Sequence, residues 1–488
     1  MMTRPNILWI TTDQQRYDTI GALGNSHIRT PHLDRLCAEG TAFRQAYCQN
    51  PICTPSRCSF LTGLYPSTVH GNINGNDCFQ TNDRIRLITR RLADAGYDCG
   101  LVGKLHLASA WNGVEPRCDD GYRHFCYSHS PAQGHGARAN QYMAWIEEQG
   151  VFDQIFAEQP SNASIRPGGV DTKRYAYQPD IPAQYHQTTW CCDRAIEFIN
   201  EERDEPWLLS VNIFDPHSPF DAPASYAERY NPEKLPPPLF RESDLAVQER
   251  LKSHYFQSRA ERPGAPQQRN KASYYGMIEL IDENVGRLLA ELERTGQREN
   301  TVVIFTSDHG EMLGDHGLTL KGCRFYEGAV RVPLIISWPG HFERGRVCDA
   351  LVELTDLAPT LADIAHIDLP WTHGASLCPI LDGTRPDFRP HDYVRCEYYD
   401  TLNMEFPDGD PARHRPGYAT MYRDQRWKLN LFHGIDYGEL YDLENDPDEF
   451  VNLWEDAAAQ SIKCRLIKQS FDASIVITDP GATRIGRY

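Results

Sequence analysis

Along the first three-quarters of the chain, short apolar runs give way to polar residues and then to stretches of helical periodicity. Asn6–Thr11 reads as a buried strand, because Ile7, Leu8, Trp9 and Ile10 form an unbroken apolar run closed by polar residues. Cys99–Gly103, Trp207–Phe214 and Thr301–Thr306 repeat the pattern. Met277–Leu292 places Ile278, Ile281, Val285, Leu288 and Leu292 three and four residues apart, the spacing of an amphipathic helix, with Gly296 as its stop. Thr30-Pro31 opens a further helix through Leu36, with Thr30 as its cap and Gly40 beyond its end. Strands alternating with helices predict an α/β fold built on a parallel sheet covered on both faces.

Two polar, Pro- and Gly-rich stretches interrupt this rhythm, from about 110 to 184 and from about 219 to 271. They read as long loops or insertions over one edge of the sheet, candidates to line a substrate pocket. Past residue 380 the texture changes. Tyr393–Tyr399, Tyr418–Tyr422, Trp427–Phe432 and Glu439–Leu443 are short strands between turn residues, followed by a helix around Glu455–Ile467. The expected organisation is a large α/β domain over 1–380 and a small C-terminal α+β subdomain, an antiparallel sheet with a helix, over 381–488.

Composition narrows the function classes. The chain has 488 residues and a net charge of 49 − 67 = −18, a surface that repels nucleic acid and anionic membranes. An anionic small substrate remains compatible if positive charge is concentrated in one pocket. No run of about 18 apolar residues could span a bilayer, and Ile7–Ile10 is too short for a signal-peptide core, so the sequence favours a cytoplasmic protein unless a leader precedes this numbering. The 15 cysteines are scattered without zinc-finger spacing and read mostly as small buried apolar residues.

Four strand ends deliver chemistry to one edge of the sheet, where ligands bind in open parallel sheets. Asp13 follows the first strand, Lys104 and His106 follow Cys99–Gly103, His217 follows Trp207–Phe214, and Asp308-His309-Gly310 follows Thr301–Thr306. Two carboxylates with an imidazole suit a divalent cation: oxygen ligands favour Ca²⁺ or Mg²⁺, and the histidine also admits Mn²⁺ or Zn²⁺. Gln14 is a candidate neutral oxygen donor, or else a solvated loop amide. Cys53 precedes Thr54, a potential cap, and Pro55, a potential helix opener, with Gly63 ending the helix. That puts a cysteine at a positive helix end, where anions bind, with Arg57 one turn on. Physics alone leaves a reactive residue and an inert buried thiol equally open, since no general base is adjacent.

Cys53-Thr54-Pro55-Ser56-Arg57, followed by Leu61-Thr62-Gly63, resembles the signature of the type I, formylglycine-dependent sulfatases of the alkaline phosphatase superfamily. The resemblance extends through Thr30-Pro31, Asp34, Gly96-Tyr97, Gly103-Lys104-Leu105-His106, Asp308-His309-Gly310-Glu311, Lys321, Tyr326-Glu327 and Glu439-Leu440-Tyr441-Asp442-Leu443 to Asn452-Leu453, nearly the whole chain. It implies that Cys53 is oxidised by a formylglycine-generating maturation enzyme. The hydrated aldehyde attacks sulfur, forms a covalent sulfate ester, and expels sulfate as its second hydroxyl loses a proton. Carried over by position, Asp13, Asp308 and His309, with Gln14, hold the metal, and Arg57 steadies the hydrate and the carboxylates. Lys104 and Lys321 neutralise sulfate oxygens, His106 takes the diol proton, and His217 binds sulfate and protonates the leaving alcohol.

The chain departs from the family pattern where many members have paired aspartates in place of Asp13-Gln14, and where Leu105 replaces a common aromatic residue. Ca²⁺ is the expected ion, with Mn²⁺ and Mg²⁺ open. The substrate class implied is a small-molecule or saccharide sulfate ester. The rival reading within the superfamily is a phosphonate monoester or phosphodiester hydrolase, against which Gly103-Lys104-Leu105-His106 argues. A non-catalytic binder of sulfated ligands is the rival of another class, and it has no use for an oxidisable nucleophile. Neither the natural substrate nor the oligomeric state, a homo-oligomer included, is legible.

Overall fold

The structure, a computed structural model, describes residues 4–75, 81–110, 114–129, 140–156, 181–251, 260–399 and 417–478. Its centre is an eight-stranded sheet. The strands are β1 (Asn6–Thr12), β2 (Thr41–Phe43), β3 (Asp98–Gly103), β4 (His124–Tyr127), β5 (Trp207–Asn212), β6 (Thr301–Ser307), β7 (Leu334–Ser337) and β8 (Arg346–Cys348), in the order β8-β2-β7-β6-β1-β5-β3-β4. Only β7 runs against the others; it is antiparallel to β6 and β2. β1 lies between β5 and β6, parallel to both, with Thr12 opposite Ser307.

The apolar runs are continuous because both faces of the sheet are covered. Leu8 and Ile10 of β1 and Val303 and Phe305 of β6 face one layer of helices: α1 (Pro31–Glu39), α3 (Gln187–Ile199) and α4 (Ala265–Arg294). Ile7 and Trp9, with Val302 and Ile304, face the other layer, which includes Phe60 and Leu61 of α2 (Cys53–Thr62). Each long strand thus buries alternate residues on opposite sides.

The two insertions contain more structure than loops. The first holds β4 and helices at Gln141–Glu148 and Phe152–Phe156; residues 157–180 lie outside the described residues. The second contains a helix at Glu242–Glu249, and α4 begins at Ala265, twelve residues before the periodicity at Met277. That early part packs through Ala272, Tyr274 and Tyr275 against Phe220 and Tyr230, an aromatic contact that an aliphatic repeat does not reveal.

The C-terminal strands β9 (Val394–Tyr399), β10 (Tyr418–Arg423), β11 (Trp427–His433) and β12 (Gly438–Asp442) form an antiparallel sheet in sequence order. The helix on it, α5 (Gln460–Val476), starts and ends later than its sequence pattern suggested and packs Leu466 and Ala473 against Leu429 and Leu440. The sheet's other face, through Cys396, Ala419, Met421 and Phe432, joins the core beside the large sheet. Buried ion pairs add to that junction. Lys428 on β11 reaches Glu327 at 3.0 Å and Glu449 at 2.8 Å. No described helix is long and apolar enough to cross a membrane.

Just before β9, His391 Nε2 lies 2.7 Å from Asp356 Oδ1. Burial alone would lower the imidazole pKa, but Asp356 raises it from 6.5 to about 9. The stabilisation is therefore complete below pH 6.5 and disappears as pH rises through about 9. His391→Gln is expected to lower the urea midpoint at about pH 6 and to match the parent protein at about pH 10. An equal loss at both pH values would assign the effect to packing.

Candidate active site

The site starts from the register of β1 and β6. Adjacent parallel strands that end together place Asp13 and Asp308 side by side: the Asp308 N–H donates to Thr12 O at 3.2 Å and the Gln14 N–H to Asp308 Oδ1 at 3.1 Å. Gln14 has a left-handed φ of 70°, an uncommon turn that carries the chain away from the carboxylates. Gly310 is required after His309, because a Cβ there would lie 1.9 Å from Gly328 O.

Helix α2 brings the nucleophile candidate. Ile52, not Thr54, occupies the cap position, and Cys53 is the first helical residue. The Thr54 hydroxyl instead donates to Asn74 Oδ1 at 2.7 Å. Cys53 Sγ is buried 3.2 Å from His309 Nε2, 3.1 Å from Lys321 Nζ and 3.6 Å from Asp13 Oδ1. Burial and Asp13 push the thiol pKa up, but Lys104 and Lys321 prevail and hold it below the ordinary value. Arg57, one turn along, donates Nε to Asp308 Oδ2 at 2.9 Å and its terminal nitrogens to Asp13 Oδ2 at 3.4 Å and Lys104 O at 3.0 Å.

Lys104 Nζ sits 2.5 Å from Asp13 Oδ2 and 5.1 Å from the Phe214 ring centroid. Lys321 Nζ donates to Gln14 Oε1 at 2.6 Å. Burial would raise the Asp13 carboxyl, yet Lys104, His217, Lys321 and Arg57 together hold it well below the carboxylate range. Burial takes the His309 imidazole down to about 4, only partly opposed by Asp308. Its Nδ1 lies 3.0 Å from Gly310 O. With the ring proton donated there, the Nε2 lone pair faces the carboxylates.

One ligand atom each from Asp13, Cys53, Asp308 and His309 lies within 4.8 Å of the others. The donor set, two carboxylates and a neutral imidazole, fits a divalent cation. Gln14 borders this cluster, its amide oxygen turned toward Lys321 because its Nε2 donates to Glu311 Oε2. Glu311 is buried and also accepts from Leu313 N and Leu320 N, which fixes the orientation of the amide.

His106 stands beside Lys104 rather than against Cys53, at φ 57° and edge-on to His129, with ring centroids 4.5 Å apart. Glu115, which carried no signal in its polar insertion, accepts the N–H groups of His106 and Leu107 at 2.8 and 2.9 Å and holds that turn. His217 lies under Phe214, and its Nδ1 donates to Ser218 O at 2.5 Å. Burial, reinforced by Lys321, depresses its pKa.

Comparison with known proteins places this arrangement in context. The sulfatase family model matches residues 5–367, and the model described as N-sulphoglucosamine sulphohydrolase, C-terminal, matches 314–474. An arylsulfatase of Clostridium perfringens is 32% identical over 463 residues, covering 92% of this chain and 90% of that protein. The multifunctional alkaline phosphatase superfamily protein PehA of Trinickia caryophylli is 29% identical over 492 residues, 94% of this chain and 92% of that one. The crystal structure of the phosphonate monoester hydrolase of Agrobacterium radiobacter superposes with a TM-score of 0.80 at 26% identity, covering 99% of this chain and 98% of that chain.

Arg57 is the guanidinium shared by both carboxylates. Arg57→Met is expected to cost roughly 3–5 kcal/mol of stability in chelator-treated protein, read from urea denaturation, because it leaves buried charge unpaired. A loss below about 1 kcal/mol would show that the lysines alone suffice.

Proposed function

The chain belongs to the sulfatase family and is a sulfuric ester hydrolase, and from that premise we propose that it cleaves sulfate monoesters with a formylglycine made from Cys53 and one divalent cation. The observation that carries this reading is the position of Cys53: first residue of a helix, within 3.1–3.6 Å of Lys321, His309 and Asp13. Cys53 Sγ stands where the aldehyde-hydrate oxygens of formylglycine would be.

Asp13, Asp308 and His309 would hold the cation, with the Gln14 amide oxygen as a further donor; Ca²⁺ is the expected ion, and Mn²⁺ and Mg²⁺ fit the same oxygen-rich set. When bound, such an ion supplies Lewis-acid polarisation of the sulfate and of the nucleophile. The remaining work falls to side chains. Lys321 donates to the atom at position 53 and, with Lys104, meets the negative sulfate oxygens, as fixed donors in a buried site should. Arg57 keeps both carboxylates oriented. His217 is placed to pass a proton to the leaving alcohol, and His106, beside Lys104, to take one from the hydrate.

Formylglycine formation depends on an external maturation enzyme. The substrate is a small-molecule or saccharide sulfate, cleaved by a large catalytic domain over 1–380 with a C-terminal subdomain over 381–488. A second reading, phosphonate monoester hydrolysis, is supported by the likeness to the Agrobacterium enzyme across the whole chain. Lys104, a buried ammonium at the end of β3, favours sulfate.

Peptide mass spectrometry across Cys53, on protein co-expressed with a maturation enzyme, is expected to show a peptide about 18 Da lighter than the encoded one. Active protein with an unmodified thiol would overturn the mechanism. Cys53→Ala is expected to abolish turnover of an aryl sulfate without loss of fold, and Lys104→Ala to lower kcat/KM by about 10²–10³-fold. Faster turnover of an aryl phosphonate than of an aryl sulfate by the parent enzyme would favour the second reading.

A further inference from the structure

Behind the site, a second group of ligating side chains is sealed from solvent. His186 precedes α3, and Asp215 and Asp221 flank His217 in the loop after β5. Their exposures are 1%, 0% and 4%, and one ligand atom from each lies within 4.8 Å of the other two. His186 Nδ1 is 3.2 Å from Asp215 Oδ2, and Nε2 is 3.9 Å from Asp221 Oδ1.

The second of these contacts is too long for a hydrogen bond. Among the described residues, neither His186 ring nitrogen nor Asp215 Oδ1 has a hydrogen-bond partner, although Nδ1 and Oδ2 are close enough for one. Thr188 Oγ1, in α3, donates to Asp215 Oδ2 but brings no charge to offset the carboxylate. Two buried carboxylates demand compensation. Against burial, Asp215 raises the His186 imidazole to about 9, so that it cancels one charge, and burial pushes the Asp221 carboxyl up to about 7; a divalent cation with a neutral imidazole would cancel both charges.

We propose that His186, Asp215 and Asp221 form a second divalent-cation site, separate from the Asp13–Asp308–His309 cluster, of the mixed nitrogen and carboxylate type that takes Mn²⁺ or Zn²⁺. An ion there ties the start of α3 to the loop that carries His217. Asp215 O also accepts the Asp13 N–H at 3.2 Å, so the site braces two elements of the catalytic edge from behind. It does not depend on the identity of the ester cleaved.

Metal counting on the full chain tests this. Wild type, Asp308→Asn and Asp221→Asn are incubated with MnCl₂ or, separately, ZnCl₂, desalted and measured by plasma mass spectrometry. About two ions per wild-type chain and about one in each variant are expected. Fewer than two in wild type, or full retention in Asp221→Asn, would overturn the proposal. Should Asp221→Asn fail to fold, an anomalous difference map from wild-type crystals grown with the same salts decides. A peak among His186, Asp215 and Asp221 is expected, and a peak at Asp13–Asp308 alone would leave a protonated imidazole as the clamp.

Discussion

Asp13 and Asp308 hold two carboxylates where water does not reach, and their cost organises the edge of the sheet around them. An unpaired buried charge costs several kcal/mol. The chain answers with three fixed cations, Arg57, Lys104 and Lys321, around Asp13, one of which also binds Asp308. Three cations against two carboxylates, beside a histidine kept neutral by burial, leave a local positive excess on a protein whose net charge is −18. That excess, enlarged by a bound cation, is what an anionic ester meets after crossing a field that repels it at long range.

The fold makes this charge arrangement rigid rather than merely close. Lys104 follows Gly103, whose φ is 97° and whose absent Cβ would lie 2.0 Å from Asn212 O. The Lys104 carbonyl then accepts from both Arg57 and Asn212 Nδ2, at 3.0 and 2.8 Å. One peptide group thereby fixes β3, β5 and α2 relative to one another. On the other side Glu311 sets the Gln14 amide, which receives Lys321. Each cation is held by its backbone or its partner before a ligand arrives, so little ordering remains to be done on binding.

The parts legible in sequence were those governed by local rules. Strands buried on both faces announce themselves as apolar runs, and parallel strands put chemistry at their carboxyl ends, so the sequence alone groups Asp13, Lys104, His217 and Asp308 at one edge. The illegible parts depend on distant partners. Thr54 has the composition of a cap, but Asn74 takes its hydroxyl and Ile52 stands at the helix start. The first twelve residues of α4 lack an aliphatic stripe because aromatic residues from an insertion cover them. Lys104, at a strand end, and Lys321, in the loop before Glu327–Val330, look like surface lysines until their burial is known. Glu115 carried no signal, since its work is to receive two backbone N–H groups.

A scaffold of this kind does not choose its ester by itself, since function resides in the groups mounted on it. On the proposed mechanism, the carboxylates, the imidazole and residue 53 serve any tetrahedral anionic ester. What can discriminate is how the remaining donors meet the peripheral oxygens. Lys104 is the group to watch: it is buried, it already binds Asp13 at 2.5 Å, and Phe214 lies across its ammonium. A compact ammonium confined there can serve an oxygen only beside Asp13, so it rewards an ester whose charge is spread over three equivalent oxygens. Where β3 ends, and the close approach that Gly103 permits, therefore set where the Lys104 ammonium stands, independently of the carboxylate and imidazole cluster.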